Sequence, residues 1–302
     1  MGFRFANVDG RAALVSGEHY FDLETLSGGS VSSDPMLALT QTETLHKLAG
    51  QLDGQDPTGV LETAQVQSPS PRPRNSFGIG LNYRNHAEEA GMPIPETPMV
   101  FTKYTSCISP PNADVELRSD YVDFEGELVV VIGQPGKDIP VDEAWNHVAG
   151  LCIGQDISDR PAQFTSSPPH FNLGKSFDTF GPMGPVLVSP DLLPEKANME
   201  LITRVNDEIR QQDKTGDLIF DVPALVSFLS YITSLTSGDV IFTGTPGGVG
   251  VVEGRFLNDG DIIETSIEGL GSMRNRCVRV SDHPRAHFVP EPMRKARAEA
   301  KG

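Results

Sequence analysis

An acidic segment that leads directly into an apolar one, residues 121–133 (YVDFEGELVVVIG), constrains the fold of this chain most. Its second half is a run of β-branched residues, which is typical of a buried strand. Because side chains alternate along a strand, Glu125 and Glu127 point to the same face, and Gly126 between them lets another group approach the backbone. Neighbouring carboxylates beside an apolar strand repel each other and resist loss of water, and a hard divalent cation relieves both costs. The segment therefore predicts a metal site, or else an exposed acidic strand end that leads into the core.

The composition limits the class of protein. The 302 residues suffice for one large domain or for a large domain with a small companion. A formal net charge of −17 argues against nucleic acid or an anionic membrane surface as a partner. No apolar run approaches the roughly 20 residues that span a bilayer, and the N-terminus lacks the apolar stretch of a signal peptide. The three cysteines lie far apart, which suggests neither a disulfide framework nor a thiolate zinc site. We therefore expect a soluble, cytoplasmic enzyme.

The first part of the chain, residues 1–70, is predicted to form a small N-terminal α+β domain. Its two opening apolar runs are separated by Asp9-Gly10, which predicts a hairpin. Apolar residues at helical spacing predict a helix over residues 42–52. The proline-rich segment 68–74 can continue neither a helix nor a central strand, so it is predicted to be the linker.

The second part, residues 71–282, is predicted to be a catalytic domain of many short strands. Thirty glycines and 24 prolines indicate frequent turns, and the recurring apolar runs between them argue against disorder. One clear helix is expected over residues 222–235, and the last strand is expected at residues 261–267. Residues 283–302 are rich in proline and charge, which predicts a loosely held C-terminal tail. Together these features predict an α+β fold that is rich in β-structure.

Five short motifs follow one another in this second part: Asn82-Tyr83-Arg84-Asn85-His86, Glu125-Gly126-Glu127-Leu128, Asp156 with Arg160, Gly174-Lys175-Ser176-Phe177 and Thr243-Gly244-Thr245-Pro246. In this order and spacing they resemble the fumarylacetoacetate hydrolase family, and within it the acylpyruvase and hydroxyheptadienedioate isomerase-like subgroup. The resemblance covers roughly residues 75–280. It implies a core of rolled mixed β-sheets, a homodimer, and a divalent metal ion, Mg²⁺ or Mn²⁺ or else Ca²⁺.

The resemblance assigns the metal ligands to Glu125, Glu127 and Asp156. Three carboxylates leave about three of six octahedral positions for water and substrate. Some family members carry a fourth acid ahead of the histidine, but residues 76–81 contain none, so we expect a three-carboxylate site. Asp123 is open to two interpretations: it replaces the fourth acid, or it caps the strand or pairs with a base.

The resemblance assigns water activation to His86 and Glu89. Three residues apart on a helix, the two side chains are neighbours, whereas Glu88 lies on a different face. A neutral imidazole is a competent base near neutral pH, and a carboxylate beside it orients the ring and stabilises its charged form. Without the other motifs, the same pair would be interpreted as an ordinary surface ion pair.

Lys175 corresponds to the active-site lysine of the family, where a cation stabilises negative charge that develops in the transition state. The alternative interpretation is that Lys175 is an exposed lysine in a loop without a catalytic role. Thr179, four residues further, is expected to hold a metal-bound water. Contacts with substrate are expected from four residues: Tyr83, Arg160, Gln163 and Thr245.

The predicted activity is metal-dependent hydrolysis of a C–C bond in a β-diketo acid, such as an acylpyruvate or fumarylpyruvate. The same metal site would also serve an oxaloacetate-type decarboxylase or a 2-hydroxyhepta-2,4-diene-1,7-dioate-type isomerase, because function depends on the pocket and not on the fold. A non-catalytic binding protein with the same fold is the alternative from a different class. The glycine-rich segment 244–250 lacks the Lys-Ser/Thr ending of a P-loop and the spacing of a dinucleotide fingerprint, so we predict no nucleotide there.

Overall fold

The structure of the protein is a computed structural model that describes residues 2–280. The predicted tail, residues 283–302, lies outside the described residues. Within the described part of the chain, no helix is both long and apolar enough to cross a membrane.

The N-terminal segment contains five strands and three short helices. They are β1 (Arg4–Val8), β2 (Arg11–Ser16), β3 (His19–Asp22), β4 (Gly59–Val60), β5 (Val66–Gln67), α1 (Leu23–Leu26), α2 (Pro35–Ala38) and α3 (Thr42–Ala49).

Residues from 75 onward contain the other fourteen strands and five helices of the described chain. The strands are β6 (Ser76–Gly80), β7 (Met99–Thr102), β8 (Ile108–Ser109), β9 (Val115–Leu117), β10 (Val122–Asp123), β11 (Gly126–Ile132), β12 (Val148–Gln155), β13 (Ser158–Asp159), β14 (Gly181–Val188), β15 (Glu200–Val205), β16 (Glu208–Lys214), β17 (Val240–Phe242), β18 (Ile262–Ile267) and β19 (Gly271–Arg279). The helices are α4 (Arg84–Glu89), α5 (Arg160–Gln163), α6 (Phe171–Gly174), α7 (Val222–Ile232) and α8 (Gly250–Glu253). Six 3₁₀ helices complete the described elements: Leu39–Gln41, Leu61–Thr63, Thr105–Cys107, Val141–His147, Pro190–Leu192 and Thr215–Asp217.

A twelve-stranded mixed sheet forms the centre of the molecule. Ten strands follow the order β4-β3-β2-β1-β14-β12-β11-β17-β6-β7, while β5 pairs with β1 and β8 with β14. β11 lies between β12 and β17, and all seven of its residues are buried. A continuous apolar run is what a strand covered on both faces requires. Leu128, Val130 and Ile132 pack in the same core cluster as α7, and Val129 and Val131 pack in the cluster that contains Phe5.

A second sheet of five strands follows the order β16-β15-β18-β19-β9, and β10 pairs with β13 in a separate two-stranded ladder. This small ladder joins the residues before Glu125 to those after Asp156, since Asp123 pairs with Ser158. The backbone N–H of Asp156 also donates to the carbonyl of Glu125, at 2.8 Å. The ladder therefore brings the two acidic segments together.

The predicted N-terminal hairpin and helix are present. β1 and β2 pair in antiparallel register through a turn in which Asp9 has φ 51° and Gly10 has φ 82°, and α3 lies inside the predicted residues 42–52. β1 also pairs with β14 of the second part of the chain, so both parts share the large sheet. The division at residue 70 stays a prediction.

Two polar strands depart from the expectations. The strand predicted at residues 261–267 is present as β18, but the prediction that it is the last strand was wrong, because the nine-residue β19 follows it. In β19, buried Met273, Asn275 and Cys277 alternate with exposed residues, and this period of two is easily hidden by the charged residues between them. β16 was also missed, because its sequence EIRQQDK carries almost no apolar signal.

Candidate active site

The structure brings the three predicted ligands together. Glu125, Glu127 and Asp156 each offer a carboxylate oxygen, and these atoms lie within 4.8 Å of one another. All three residues are buried, with relative exposures of 7%, 1% and 0%. Glu125 directly precedes β11, Glu127 is its second residue, and Asp156 follows β12. Because β11 and β12 are antiparallel neighbours, the start of one lies beside the end of the other.

Two buried lysines neutralise part of this charge. Lys175 Nζ donates to Glu125 Oε2 at 2.6 Å and to Asp156 Oδ2 at 2.7 Å. Lys103 Nζ donates to the other oxygen of Asp156 at 2.6 Å, and to the carbonyls of Lys175 and Phe180 at 2.5 and 3.0 Å. Lys175 is thus not an exposed loop lysine. Lys103 was missed by the sequence analysis, because a single lysine after a short apolar strand carries no pattern.

Among the residues that the structure describes, no lysine, arginine or histidine forms a salt bridge with Glu127, although the charge of Lys175 acts on it from a greater distance. Glu127 Oε2 accepts one hydrogen bond, from the backbone N–H of Gly244 at 2.8 Å. Burial raises the pKa of Glu127 well above its usual value, and the charges of Asp156 and Glu125 raise it further. A divalent cation would supply the missing positive charge, and three carboxylates are the hard oxygen donors that Mg²⁺ and Mn²⁺ prefer. The residues present therefore fit such an ion.

The pKa of Glu125 is shifted in the opposite direction, to below its usual value. Burial alone would raise its pKa, but the charges of Lys175 and Arg160 and, more weakly, of His86 lower it to about 2. Glu125 is therefore ionised at every physiological pH. The contribution of His86 also indicates that the imidazole is near enough to interact electrostatically with the carboxylate cluster.

His86 and Glu89 form the predicted pair on α4. The His86 Nδ1 atom lies 2.7 Å from Glu89 Oε1, and both side chains are largely buried. Since an ionised carboxylate can only accept, Nδ1–H donates and Nε2 is the basic nitrogen. The other oxygen of Glu89 accepts from the Gly248 N–H at 2.8 Å, and Asn85 accepts from the Gly247 N–H at 3.0 Å. α4 therefore rests on the glycine-rich loop, which holds the pair in position.

Asp123 pairs with a base, as one of its two interpretations predicted. Its carboxylate accepts from Arg160 Nε and Nη2 at 2.9 and 2.6 Å, and from the N–H groups of Gly250 and Val251 at 2.7 and 2.9 Å. Arg160 Nη2 also donates to Glu125 Oε1 at 2.8 Å, and Nη1 donates to Gln163 Oε1 at 2.9 Å. Arg160 thus holds Glu125, one of the three predicted metal ligands, in place. Its predicted contact with substrate, like that of Gln163, stays a prediction.

Three further site residues lie in the same region. Tyr83 is fully buried, and its hydroxyl has no hydrogen-bond partner within residues 2–280. Burial together with the charge of Glu127 raises its pKa. Thr245 Oγ1 donates to the Gly126 carbonyl at 2.9 Å. Thr179 Oγ1 accepts from the Glu116 N–H at 3.0 Å. The roles of Tyr83 and Thr245 towards substrate, and of Thr179 towards a water, stay predictions.

The fold and this site are those of a β-rich protein with a candidate divalent-metal centre. The family model described as "Fumarylacetoacetate (FAA) hydrolase C-terminal" matches residues 75–278. The chain therefore belongs to the fumarylacetoacetate hydrolase family, which confirms the predicted membership and the predicted β-rich fold.

Known relatives differ in the reactions for which they are named. The human oxaloacetate tautomerase FAHD2A, mitochondrial, is 37% identical over 289 residues, which cover 89% of this chain and 90% of the relative. The fumarylacetoacetate hydrolase of Exiguobacterium antarcticum is 30% identical, with a TM-score of 0.79 over 92% of this chain and 99% of that one. The maleylpyruvate hydrolase of Sphingobium sp. SYK-6, solved with manganese(II) and pyruvate, is 27% identical, with a TM-score of 0.78 over 92% of this chain and 100% of that one.

Proposed function

We propose that this protein is a divalent-metal-dependent hydrolase that cleaves a C–C bond in a β-diketo acid, such as an acylpyruvate or fumarylpyruvate. The observation that carries the proposal is the hydrogen-bonded His86–Glu89 pair, because hydrolysis needs a base that can activate water. The glycine-rich loop links this pair to the carboxylate cluster, since it donates one backbone hydrogen bond to Glu89 and another to Glu127. The maleylpyruvate hydrolase structure, which holds manganese(II) and pyruvate on the same fold, supports it.

The ion would be held by Glu125, Glu127 and Asp156, and when bound it supplies Lewis-acid polarisation of substrate oxygens. His86 Nε2 takes a proton from water, and the hydroxide adds to the distal carbonyl carbon. Glu89 holds the imidazole and stabilises its charged form. The C–C bond then breaks, and its electron pair becomes an enolate whose charge Lys175 stabilises. The proton on His86 passes to the enolate carbon, so that one water yields two smaller acids.

Tautomerisation of an oxaloacetate-type acid is the second candidate, favoured by the name of the human relative. The same pair can move a proton between carbon and oxygen without consuming water. Decarboxylation and isomerisation of a hydroxyheptadienedioate need the same polarised enolate, and they remain the further alternatives.

Product analysis separates these reactions. The purified protein is incubated with Mg²⁺ or Mn²⁺ and, in parallel, with an acylpyruvate, fumarylpyruvate and oxaloacetate, and products are followed by NMR and enol absorbance. Hydrolysis predicts pyruvate and the matching second acid from the diketo acids. Release of carbon dioxide, or keto–enol exchange alone, as the main activity would refute the proposal. The Glu125→Gln variant, which removes one ligand charge, is the control for metal dependence.

Metal binding without turnover of any of these acids would favour the non-catalytic binding protein. Titration of the metal-free protein with Mg²⁺ and Mn²⁺ in a calorimeter measures this directly, and it ranks the two ions.

A homodimer is part of the proposal. β7 is an edge strand of the large sheet, and Met92, Ile94 and Met99 near it are exposed by 52%, 51% and 40%. Apolar side chains beside an open sheet edge are suited to cover by a second copy. Light scattering coupled to gel filtration should give twice the chain mass, and the mass of a single chain would contradict the homodimer.

The cytoplasm stays the proposed location of the protein, which microscopy of a fluorescent fusion would test.

A further inference from the structure

Gly126, the residue between the two ligating glutamates, has its peptide groups bound by side chains. Its N–H donates to Gln211 Oε1 at 2.9 Å, and its carbonyl accepts from Thr245 Oγ1 at 2.9 Å. Side chains from two other parts of the fold therefore fix the orientation of the backbone at this point.

The two side chains also bond to each other and so close a ring. Gln211 Nε2 donates to Thr245 Oγ1 at 2.7 Å and to the Pro246 carbonyl at 2.8 Å. Gln211 is 1% exposed and Thr245 is 3% exposed. Hydrogen bonds that are buried away from solvent strengthen one another, and removal of one partner leaves a buried polar group without a hydrogen bond. We call this ring of Gly126, Gln211 and Thr245 the Gly126 clamp.

The clamp joins three elements that are distant in sequence. Gln211 lies on β16 of the five-stranded sheet, and Thr245 lies on the glycine-rich loop after β17. A Cβ on Gly126 would lie 2.1 Å from Thr203 Oγ1, so the backbone at this position passes directly against the second sheet. The N–H of Glu125 is held in a similar way, by Gln155 Oε1 at 3.0 Å.

The orientation of the Gly126 peptide determines the direction in which the two flanking side chains leave the backbone. Glu125 and Glu127 reach the same cation site only if that orientation is maintained. Loss of a group that orients a metal ligand typically lowers metal affinity or activity by about 10- to 100-fold.

We propose that Gln211 and Thr245 are positioning residues of the metal site, which act through the backbone of Gly126. The inference rests on the proposed metal dependence, and it gives Thr245 a role other than the substrate contact expected from sequence. Gln211 could not be identified from sequence, because a glutamine in a polar strand has no distinguishing pattern.

Two matched pairs of variants test the clamp. Thr245→Val keeps the shape of the side chain and loses its hydroxyl, whereas Thr245→Ser keeps the hydroxyl. Gln211→Met removes all the side-chain hydrogen bonds of Gln211 and leaves the backbone pairing of β16 in place. Gln212→Met makes the same change at an exposed neighbour on the same strand. The Mn²⁺ affinity of each metal-free protein is measured by calorimetry and electron paramagnetic resonance. Thermal unfolding of the same proteins shows whether each variant is folded and how stable it is.

We expect Thr245→Val and Gln211→Met to weaken Mn²⁺ binding by about 10- to 100-fold, with Thr245→Ser and Gln212→Met close to the unmodified protein. Lower unfolding temperatures with unchanged Mn²⁺ affinity would overturn the proposal, because they indicate a purely structural role. A raised KM with unchanged affinity in Thr245→Val would overturn it in favour of substrate binding. If Gln211→Met does not fold, the Thr245 pair decides alone. A failure of the unmodified protein to bind Mn²⁺ would instead refute the proposed function, and the clamp with it.

Discussion

Glu125 and Glu127 show how strongly single residues two positions apart can differ. Both are buried on one face, yet Glu125 bonds to Arg160 and Lys175, while Glu127 receives a single hydrogen bond from the described part of the chain, from a backbone N–H. The pKa of the first is lowered and that of the second is raised, and burial opposes the charged form in both. The sequence predicted their shared face, but not this asymmetry, because the lysine and arginine come from segments with no fixed spacing to the strand.

The Glu127→Gln variant should be more stable than the unmodified protein when metal is absent. A raised folded-state pKa means that the stability contributed by protonated Glu127 is complete below about pH 4.5 and is lost as pH rises through the folded value. The substitution removes that loss at neutral pH. With saturating Mn²⁺ the order should reverse, because only the unmodified protein gains stability from binding. Thermal unfolding in EDTA and in Mn²⁺ gives the unfolding temperatures of the two proteins under each condition. If the variant is the more stable protein under both conditions, the assignment of Glu127 as a ligand is contradicted.

Replacement of His86 by Gln should lower kcat by about 10²- to 10⁴-fold, the usual contribution of a general base, and leave Mn²⁺ affinity unchanged. Glu89→Gln should act in the same direction, because the imidazole loses the carboxylate that orients it. Glu88→Gln alters the exposed neighbour on the same helix and serves as the control. Steady-state kinetics and calorimetry give the two readouts, and equal losses in all three variants would point to disruption of the helix instead.

At the scale of elements, the site depends on contacts between segments that are short or polar. α4 rests on the glycine-rich loop through Asn85 and Glu89, and β16 contributes Gln211 and also Asp213. The amphipathic and apolar elements could be predicted from sequence, as with β11 and α7. β16 and β19 could not, because their polar residues satisfy one another and the backbone only after the sheets have formed.

Asp213 on β16 gives a pH-dependent prediction for this region. The Asp217 carboxyl group neighbours that of Asp213, and two adjacent carboxyl groups favour a state in which one of them carries a proton. Burial and Asp217 raise the pKa of Asp213 from 3.8 to about 6. Its contribution to stability is therefore complete below about pH 3.8 and is lost as pH rises through about 6.

The Asp213→Asn variant should consequently unfold at a higher temperature than the unmodified protein at pH 7 to 8, roughly above the raised pKa, and the difference should shrink towards pH 4. An asparagine can still donate to Asp217, so the contact is kept without the proton. Thermal unfolding across this pH range measures the effect. Asp53→Asn, at an exposed site, should show no such trend, and a constant difference in Asp213→Asn at every pH would refute the shared proton.

At the scale of the whole molecule, the N-terminal strands complete the large sheet. Phe3, Phe5 and Leu14 belong to the same core cluster as Val129 and Val131 of β11. That cluster covers the face of β11 from which the carboxylates project, since Glu127, Val129 and Val131 alternate in phase. Within residues 1–70, the β1–β2 hairpin and α3 were predictable from local patterns, but the short elements β4, β5, α1 and α2 were not predicted. The place of β1 and β2 in the common sheet could not be predicted either, because strand pairing between distant segments leaves no periodic pattern.

Phe5→Ala therefore tests whether the predicted domain division holds. Removal of this buried ring should destabilise the protein by about 3–5 kcal/mol, and we expect the whole described molecule to unfold in one transition at a lower temperature. Calorimetric scanning measures this, with the exposed Leu37→Ala as the control. Two separate transitions, of which only one moves, would support an independent N-terminal domain.

The buried ammonium of Lys103 has all three of its protons engaged, one on Asp156 and two on the carbonyls of Lys175 and Phe180. Asp156 and the main chain of Lys175 consequently share one anchor at the end of β7. Damage to that anchor would disturb ion binding and charge stabilisation simultaneously, so the two defects should appear together in any variant that disturbs the end of β7.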